Sequence, residues 1–313
     1  MTLAGYLRRS IAALPLLLVA AGCVSPDAAR DVAAPPPAAG ASPGPVSSTV
    51  PPPAAALEPF VFRGSRRSAE QGGVLLGVVP SHTRSLTLDG QPVPVAADGG
   101  FLIAFDRDAA PRARLVATVR DGRQVVEEIV VVPGTWRIEQ INAPYRGSAA
   151  NDADFQRRRP AELAQIAAAR NVEATSDGWK QRFRWPVTGR LSGFFGAQRV
   201  YQGKPGAYHS GTDIAVPAGT PFVAPADGVV VLAATTPFTL EGHLLIVDHG
   251  MGLTSAFLHC QRLDVKVGDR VAQGQVLGTI GRTGRATGPH MHWGLKWRDA
   301  RLDPAKLAGP IGS

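Results

Sequence analysis

Between Phe60 and Val132 short apolar runs alternate with turn-forming dipeptides. Val74 to Val79, Phe101 to Phe105, Leu115 to Val119 and Val125 to Val132 are rich in Val, Leu and Ile, and Asp89-Gly90, Asp98-Gly99 and Asp121-Gly122 punctuate them. Runs of this length bounded by such dipeptides predict strands joined by hairpins. Strands at this spacing predict a small antiparallel, Ig-like β-sandwich over residues 60–145. Further on, Pro160 followed by Ala161, Glu162, Leu163, Ile166 and Ala167 predicts a short amphipathic helix with the proline in its first turn. With the polar, irregular stretch from Asn171 to Arg184, that helix makes a connector over residues 155–184. From Trp185 to about residue 305 the strand pattern resumes, with proline and glycine at the turns.

The first 59 residues follow neither pattern. Arg8 and Arg9 precede an apolar run from Ile11 to Ala21, and the small residues Ala20-Ala21-Gly22 lead to Cys23. That arrangement is a secretory signal over residues 1–23. Pro15 interrupts the run, which is shorter than the roughly 20 residues a spanning helix needs. Val19-Ala20-Ala21-Gly22-Cys23 resembles a bacterial lipobox, so Cys23 is the expected lipidation site and a lipid on it the expected membrane anchor. A non-acidic Val24 follows, which by resemblance to sorted lipoproteins points to the outer membrane, with the folded part in the periplasm. Residues 24–59 are mostly Ala, Pro, Ser and Gly, including Pro35-Pro36-Pro37 and Pro51-Pro52-Pro53, and read as a semi-extended tether.

Composition narrows the partners. The 313 residues are 44% hydrophobic, enough for a real core, and carry a formal charge of +8. A basic exported protein suits an anionic polymer of the envelope. Nucleic acid is set aside, because no basic stripe interleaved with aromatics is present. With Cys23 lipidated, Cys260 has no partner in the chain, and disulfides contribute nothing to the fold.

Six of the seven histidines follow Tyr208, and four of them sit in three short segments: Tyr208-His209-Ser210-Gly211-Thr212-Asp213, Phe257-Leu258-His259 and Gly288-Pro289-His290-Met291-His292. Such clustering invites a metal. His290 and His292 share one face if they lie on a strand. His209 and Asp213 would be about 13 Å apart on a straight strand, so a shared ion requires the segment to bend, and Gly211 is where a kink meets least resistance. Two imidazoles and one carboxylate leave a fourth tetrahedral position open, the catalytic rather than the structural type of zinc site. His259, and whichever of His290 and His292 does not ligate, remain for proton transfer and oxyanion stabilisation. His249 is expected in a turn, bonded to backbone, and His243 on a strand or at a cleft rim. Arg199 is either solvated or placed to meet a substrate carboxylate.

His-x-x-x-Asp, then Leu-His, then His-x-His, separated by glycine-rich strands, resembles the lysostaphin/LytM-type zinc peptidoglycan endopeptidases over roughly Trp185 to Pro304. Gly193-Phe194-Phe195-Gly196, Val247-Asp248-His249-Gly250 and Gly281-Arg282-Thr283-Gly284 agree with that resemblance. It implies a C-terminal antiparallel β-sandwich metallopeptidase domain over 185–305, Zn2+ held by His209, Asp213 and His292, and catalytic assistance from His259 and His290. The implied activity is hydrolysis of stem or cross-link peptides of peptidoglycan, with the bond between D-Ala and diaminopimelate the first choice for this envelope. The family also holds non-catalytic or latent members that activate another cell-wall hydrolase, which is the alternative role. A protein partner for the N-terminal sandwich is left open.

Overall fold

The computed structural model describes residues 55–144 and 152–312. The signal segment, Cys23 and the tether up to residue 54 lie outside the described residues. From Ala55 onward the chain forms one compact unit. It is mainly β, as the pattern predicts, and no described helix is long and apolar enough to cross a membrane.

In the N-terminal half the hairpin-forming runs build two sheets. One has three strands, Val61–Phe62, Val74–Val78 and Gly100–Ala104. The other has five, in the order Ser68–Glu70, Gln124–Val132, Arg112–Val119, Thr83–Leu88, Gln91–Val93. Pairing is not wholly antiparallel, since Ser68–Glu70 runs parallel to Val130–Val132. Alternation along Gln124–Val132 buries Ile129 and Val131 and leaves Val126, Val130 and Val132 exposed, the signature of a sheet with one dry face.

The helix, α1 (Ala153–Arg170), is longer than the sequence predicts and starts before Pro160. Asp152 caps it, its carboxylate accepting from the backbone N–H groups of Asp154 and Phe155. Pro160 therefore falls inside the helix, on the exposed side, where water can replace the ladder bond that proline removes. The buried face is also not the expected one: Glu162, Ile166 and Ala169 are buried, while Leu163 is exposed.

The C-terminal half is organised by a mixed-length antiparallel sheet. Its main strands are β1 (Arg190–Gly193), β2 (Thr212–Ala215), β3 (Gly228–Ala233), β4 (His243–Asp248), β5 (Leu253–Leu263) and β6 (Met291–Trp297). The spatial order is β1-β2-β6-β5-β4-β3, with short strands at the margins. Along β6, Met291, Trp293, Leu295 and Trp297 point into the core, leaving His292, Gly294 and Lys296 on the opposite face. That second face is where α1 packs, with Ile166 and Ala169 against Leu244, Ile246 and Ala256. Since Ala256 pairs with Gly294 and Leu258 with His292 across β5 and β6, the helix and His292 share one side of the sheet. On the core side, one continuous buried cluster joins Phe101 and Leu115 of the N-terminal half, through Trp179, to Phe222, Trp293 and Leu302.

Candidate metal centre

Three donor atoms converge where β2 meets β6. Asp213 and His292 are directly opposed in that pairing, and the chain bends at Gly211 just before β2. The bend brings His209 back over the strand. His209 Nε2 lies 3.1 Å from Asp213 Oδ1 and 3.1 Å from His292 Nδ1, and His292 Nδ1 lies 2.9 Å from Asp213 Oδ1. Around an ion with tetrahedral bonds of about 2.0–2.2 Å, such atoms would sit about 3.3 Å apart. The donor set therefore fits a metal with only slight outward adjustment, and among the described residues these three form the His/Asp cluster able to hold one. A Cβ on Gly211 would come within 2.6 Å of His292 Nε2, and one on Gly193 within 2.3 Å of Asp213 Oδ2. Glycine at both positions gives the donors room.

The surroundings fix which nitrogen of His209 faces the centre. Its Nδ1–H donates to the Phe194 carbonyl at 3.1 Å, so Nε2 keeps its lone pair toward Asp213. Burial works against the charge on Asp213, but the His209 and His292 rings beside it outweigh that cost and hold the carboxyl well below the usual carboxylate range. Asp213 is thus an anion, the form in which a carboxylate could hold a metal.

Two further imidazoles flank the cluster. His259 and His290 have ring centroids 4.8 Å apart, and His259 lies 6.4 Å from His292. His290 Nε2 is 3.9 Å from Asp213 Oδ1. Each turns its Nδ1 to a backbone carbonyl at 2.8 Å, Thr283 for His259 and Gly288 for His290, which leaves both Nε2 atoms unspent by those bonds. His259 occupies an irregular stretch of β5 with φ of 63°, a conformation β-strand residues rarely adopt. Its N–H is held by the Glu241 carbonyl at 2.8 Å. Such an outlier re-aims one side chain out of the strand's alternation. Burial pushes the His259 pKa down to about 4, so the imidazole is neutral at ordinary pH.

The other sequence candidates fall elsewhere. His249 sits in the turn after β4, with Nδ1–H donating to the Asp227 carbonyl at 2.8 Å. His243 lies on β4 and bonds the Ala234 carbonyl at 2.9 Å. Arg199 is held by Glu139 at 2.9 Å across a parallel pairing of Gln198–Tyr201 with Ile138–Ile141, so its charge is already matched. Cys260 is fully buried, and burial pushes its thiol up to about 12, which marks it as packing. The carbonyls of Phe194 and Thr283, which orient two of the imidazoles, are not marked in the sequence. A backbone acceptor has no residue-type signature, and only the glycine-rich text around both positions hinted at tight turns.

Residues 207–304 match the family model described as peptidase family M23. Peptidoglycan DD-endopeptidase ShyA of Vibrio cholerae serotype O1 is 38% identical over 133 residues, covering 42% of this chain and 30% of that protein. ShyC of the same organism, also named a peptidoglycan DD-endopeptidase, is 35% identical over 138 residues, covering 44% of this chain and 28% of that protein. The chain thus spans under a third of the length of these curated relatives. A crystal structure of a candidate M23 peptidase from Pseudomonas aeruginosa is similar over 76% of this chain and 94% of that one, with 32% identity and a TM-score of 0.59.

Proposed function

Because the chain belongs to peptidase family M23, we propose that its C-terminal domain is a zinc-dependent endopeptidase that hydrolyses peptide bonds in peptidoglycan, in the first instance the cross-link between D-Ala and diaminopimelate. The observation that carries this reading is the convergence of His209 Nε2, Asp213 Oδ1 and His292 Nδ1 beside two imidazoles that do not belong to the triad. The names of the curated relatives support the substrate class. Zinc is the fitting ion because two nitrogens and one oxygen with an open fourth position match its catalytic sites. Held there, zinc supplies Lewis acidity, polarising the scissile carbonyl and acidifying water. His259, kept neutral by burial, can accept a proton at Nε2. His290, in the form that carries a proton on both ring nitrogens, can donate from Nε2 to the oxygen on which negative charge develops. All three ligand positions and both assisting histidines are present, which favours an enzyme over a non-catalytic activator.

The wider reading follows the sequence. Cys23 carries a lipid in the outer membrane, residues 24–59 span toward the wall, and the N-terminal half is a small Ig-like sandwich that braces the catalytic domain in the periplasm. The test is digestion of purified sacculi by the fragment beginning after Cys23, with muropeptides resolved by mass spectrometry. Chelator-sensitive loss of cross-linked dimers is expected. Asp213→Ala should lose both bound zinc and hydrolysis, and dimer cleavage that persists without zinc would overturn the reading.

A further inference from the structure

The face of the sheet that carries His292 continues under α1 into a cavity of about 340 Å³, bordered by Ser210, His292 and Gly294 at one end and by Arg159, Arg170 and Arg301 around it. Three guanidinium groups around one small cavity need anions. Arg159 has them: it makes two hydrogen bonds to Glu241, at 2.6 and 2.8 Å, and a longer contact to Glu162. Arg170 and Arg301 form no ion pair among the described residues. Among the described residues the Arg301 guanidinium meets Tyr208, donating to the hydroxyl at 3.3 Å and lying 5.6 Å from the ring centroid. Arg170 is further from satisfaction, since its Nε is buried with no hydrogen-bond partner among the described residues. Buried guanidinium nitrogens without acceptors are rare in folded proteins, and each calls for an explanation such as a ligand.

We infer that Arg170 and Arg301 form a carboxylate-binding subsite for the peptide substrate, reached along β6 from the metal centre. This rests on the peptidase reading and adds to it a requirement for substrate charge. A carboxylate is the anion that matches a guanidinium fork, and stem peptides containing diaminopimelate bear free carboxylates. Reach agrees as well. From His292 to Lys296, which also lines the cavity, β6 rises about 13 Å, so the subsite lies within about four residues of the scissile bond in an extended peptide. Arg170 also lines a larger cavity, which shares Leu163, Ile166 and Lys296 with the first. The metal-side cavity is the better assignment, because the charged groups that act most on Arg170, Arg301 and then Glu241, line it and do not line the larger one. Glu241 is already engaged by Arg159, so it leaves the subsite net positive.

The experiment is isothermal titration of the mature full-length chain with two stem tetrapeptides, one with its carboxylates free and one fully amidated. The free acid should bind at least about tenfold more tightly, the factor expected from a charged hydrogen bond. Arg170→Gln should abolish that preference, and Arg170→Lys should restore part of it. Arg301→Gln, at an exposed side chain, should weaken the preference with no effect on folding. Equal binding of the two peptides, binding of neither, or a preference that survives both glutamine variants would overturn the subsite. Sacculus digestion run in parallel separates the two ideas: digestion without charge preference removes the subsite alone, whereas charge preference without digestion leaves the subsite and removes the peptidase.

Discussion

His249 is completely enclosed, and both ring nitrogens are engaged. Nδ1–H donates to the Asp227 carbonyl, Nε2 accepts from the Ser255 hydroxyl at 2.8 Å, and the Trp293 indole donates to the same hydroxyl at 3.2 Å. An imidazole serving at once as donor and acceptor must be neutral, and burial pushes its pKa down to about 4 from about 6.5. Folding thus favours the unprotonated form. The stabilisation is fully present above about pH 6.5 and is lost as pH falls toward 4, on the order of 3 kcal/mol in total. We predict that the stability gap between wild type and His249→Gln, from thermal melts at matched pH, narrows by that order between pH 7 and pH 4. A gap independent of pH would mean that the ring is not held neutral. At this scale the spacing of His209, Asp213, His290 and His292 already required a bend and a shared face. The enclosure of His249 was not legible, because it depends on which strand lies beside its turn.

Among the elements, α1 departs furthest from its expected form. Its first two turns are charged, with Arg157 pairing with Asp154 at 2.5 Å, and apolar periodicity is blind to such a solvated stretch. The helix is also anchored by a carboxylate rather than by the leucine that hydropathy favours. Glu162 is 4% exposed and accepts from Thr239 N–H at 2.7 Å and the Thr239 hydroxyl at 2.6 Å, with Arg158 and Arg159 beside it. Burial raises the cost of its charge, but the Thr239 bonds outweigh that and keep its pKa below the usual value. Glu162→Ala leaves the Thr239 amide and two guanidinium groups short of an acceptor. It should cost about 2–3 kcal/mol in denaturant unfolding, with the m-value unchanged. A loss under about 0.5 kcal/mol, the scale of a surface substitution, would show that the anchor is Ile166 packing alone. The irregularity that turns His259 out of β5 was equally hidden, since no glycine marks it.

At the level of the whole molecule, the two halves meet at the loop that orients His209. Trp136 stacks edge-on against Phe195 at 5.5 Å, and Arg107, 6% exposed, donates from Nε to the Gly196 carbonyl at 3.1 Å and from Nη2 to Gln198 at 3.0 Å. The same loop is laced to the His209 segment, with Gly196 N–H donating to the His209 carbonyl and His209 N–H to the Ala197 carbonyl, both at 2.8 Å. Its Phe194 carbonyl then fixes the His209 ring. Strand runs announced the N-terminal half, but sequence cannot announce a contact between residues 89 positions apart. The consequence is that a residue remote in sequence should tune metal affinity. Loss of a group that orients a ligand typically lowers affinity 10- to 100-fold, and Arg107 acts one step further out, on the loop itself. Arg107→Met keeps much of the side-chain length and removes the two hydrogen bonds. We predict that it weakens zinc binding about tenfold in a chelator competition while leaving the far-UV circular dichroism unchanged. Asp108→Ala, which removes only the exposed partner of the same arginine, should leave zinc affinity where it was. If Arg107→Met binds zinc as tightly as wild type, the N-terminal half stabilises the molecule without shaping the metal centre.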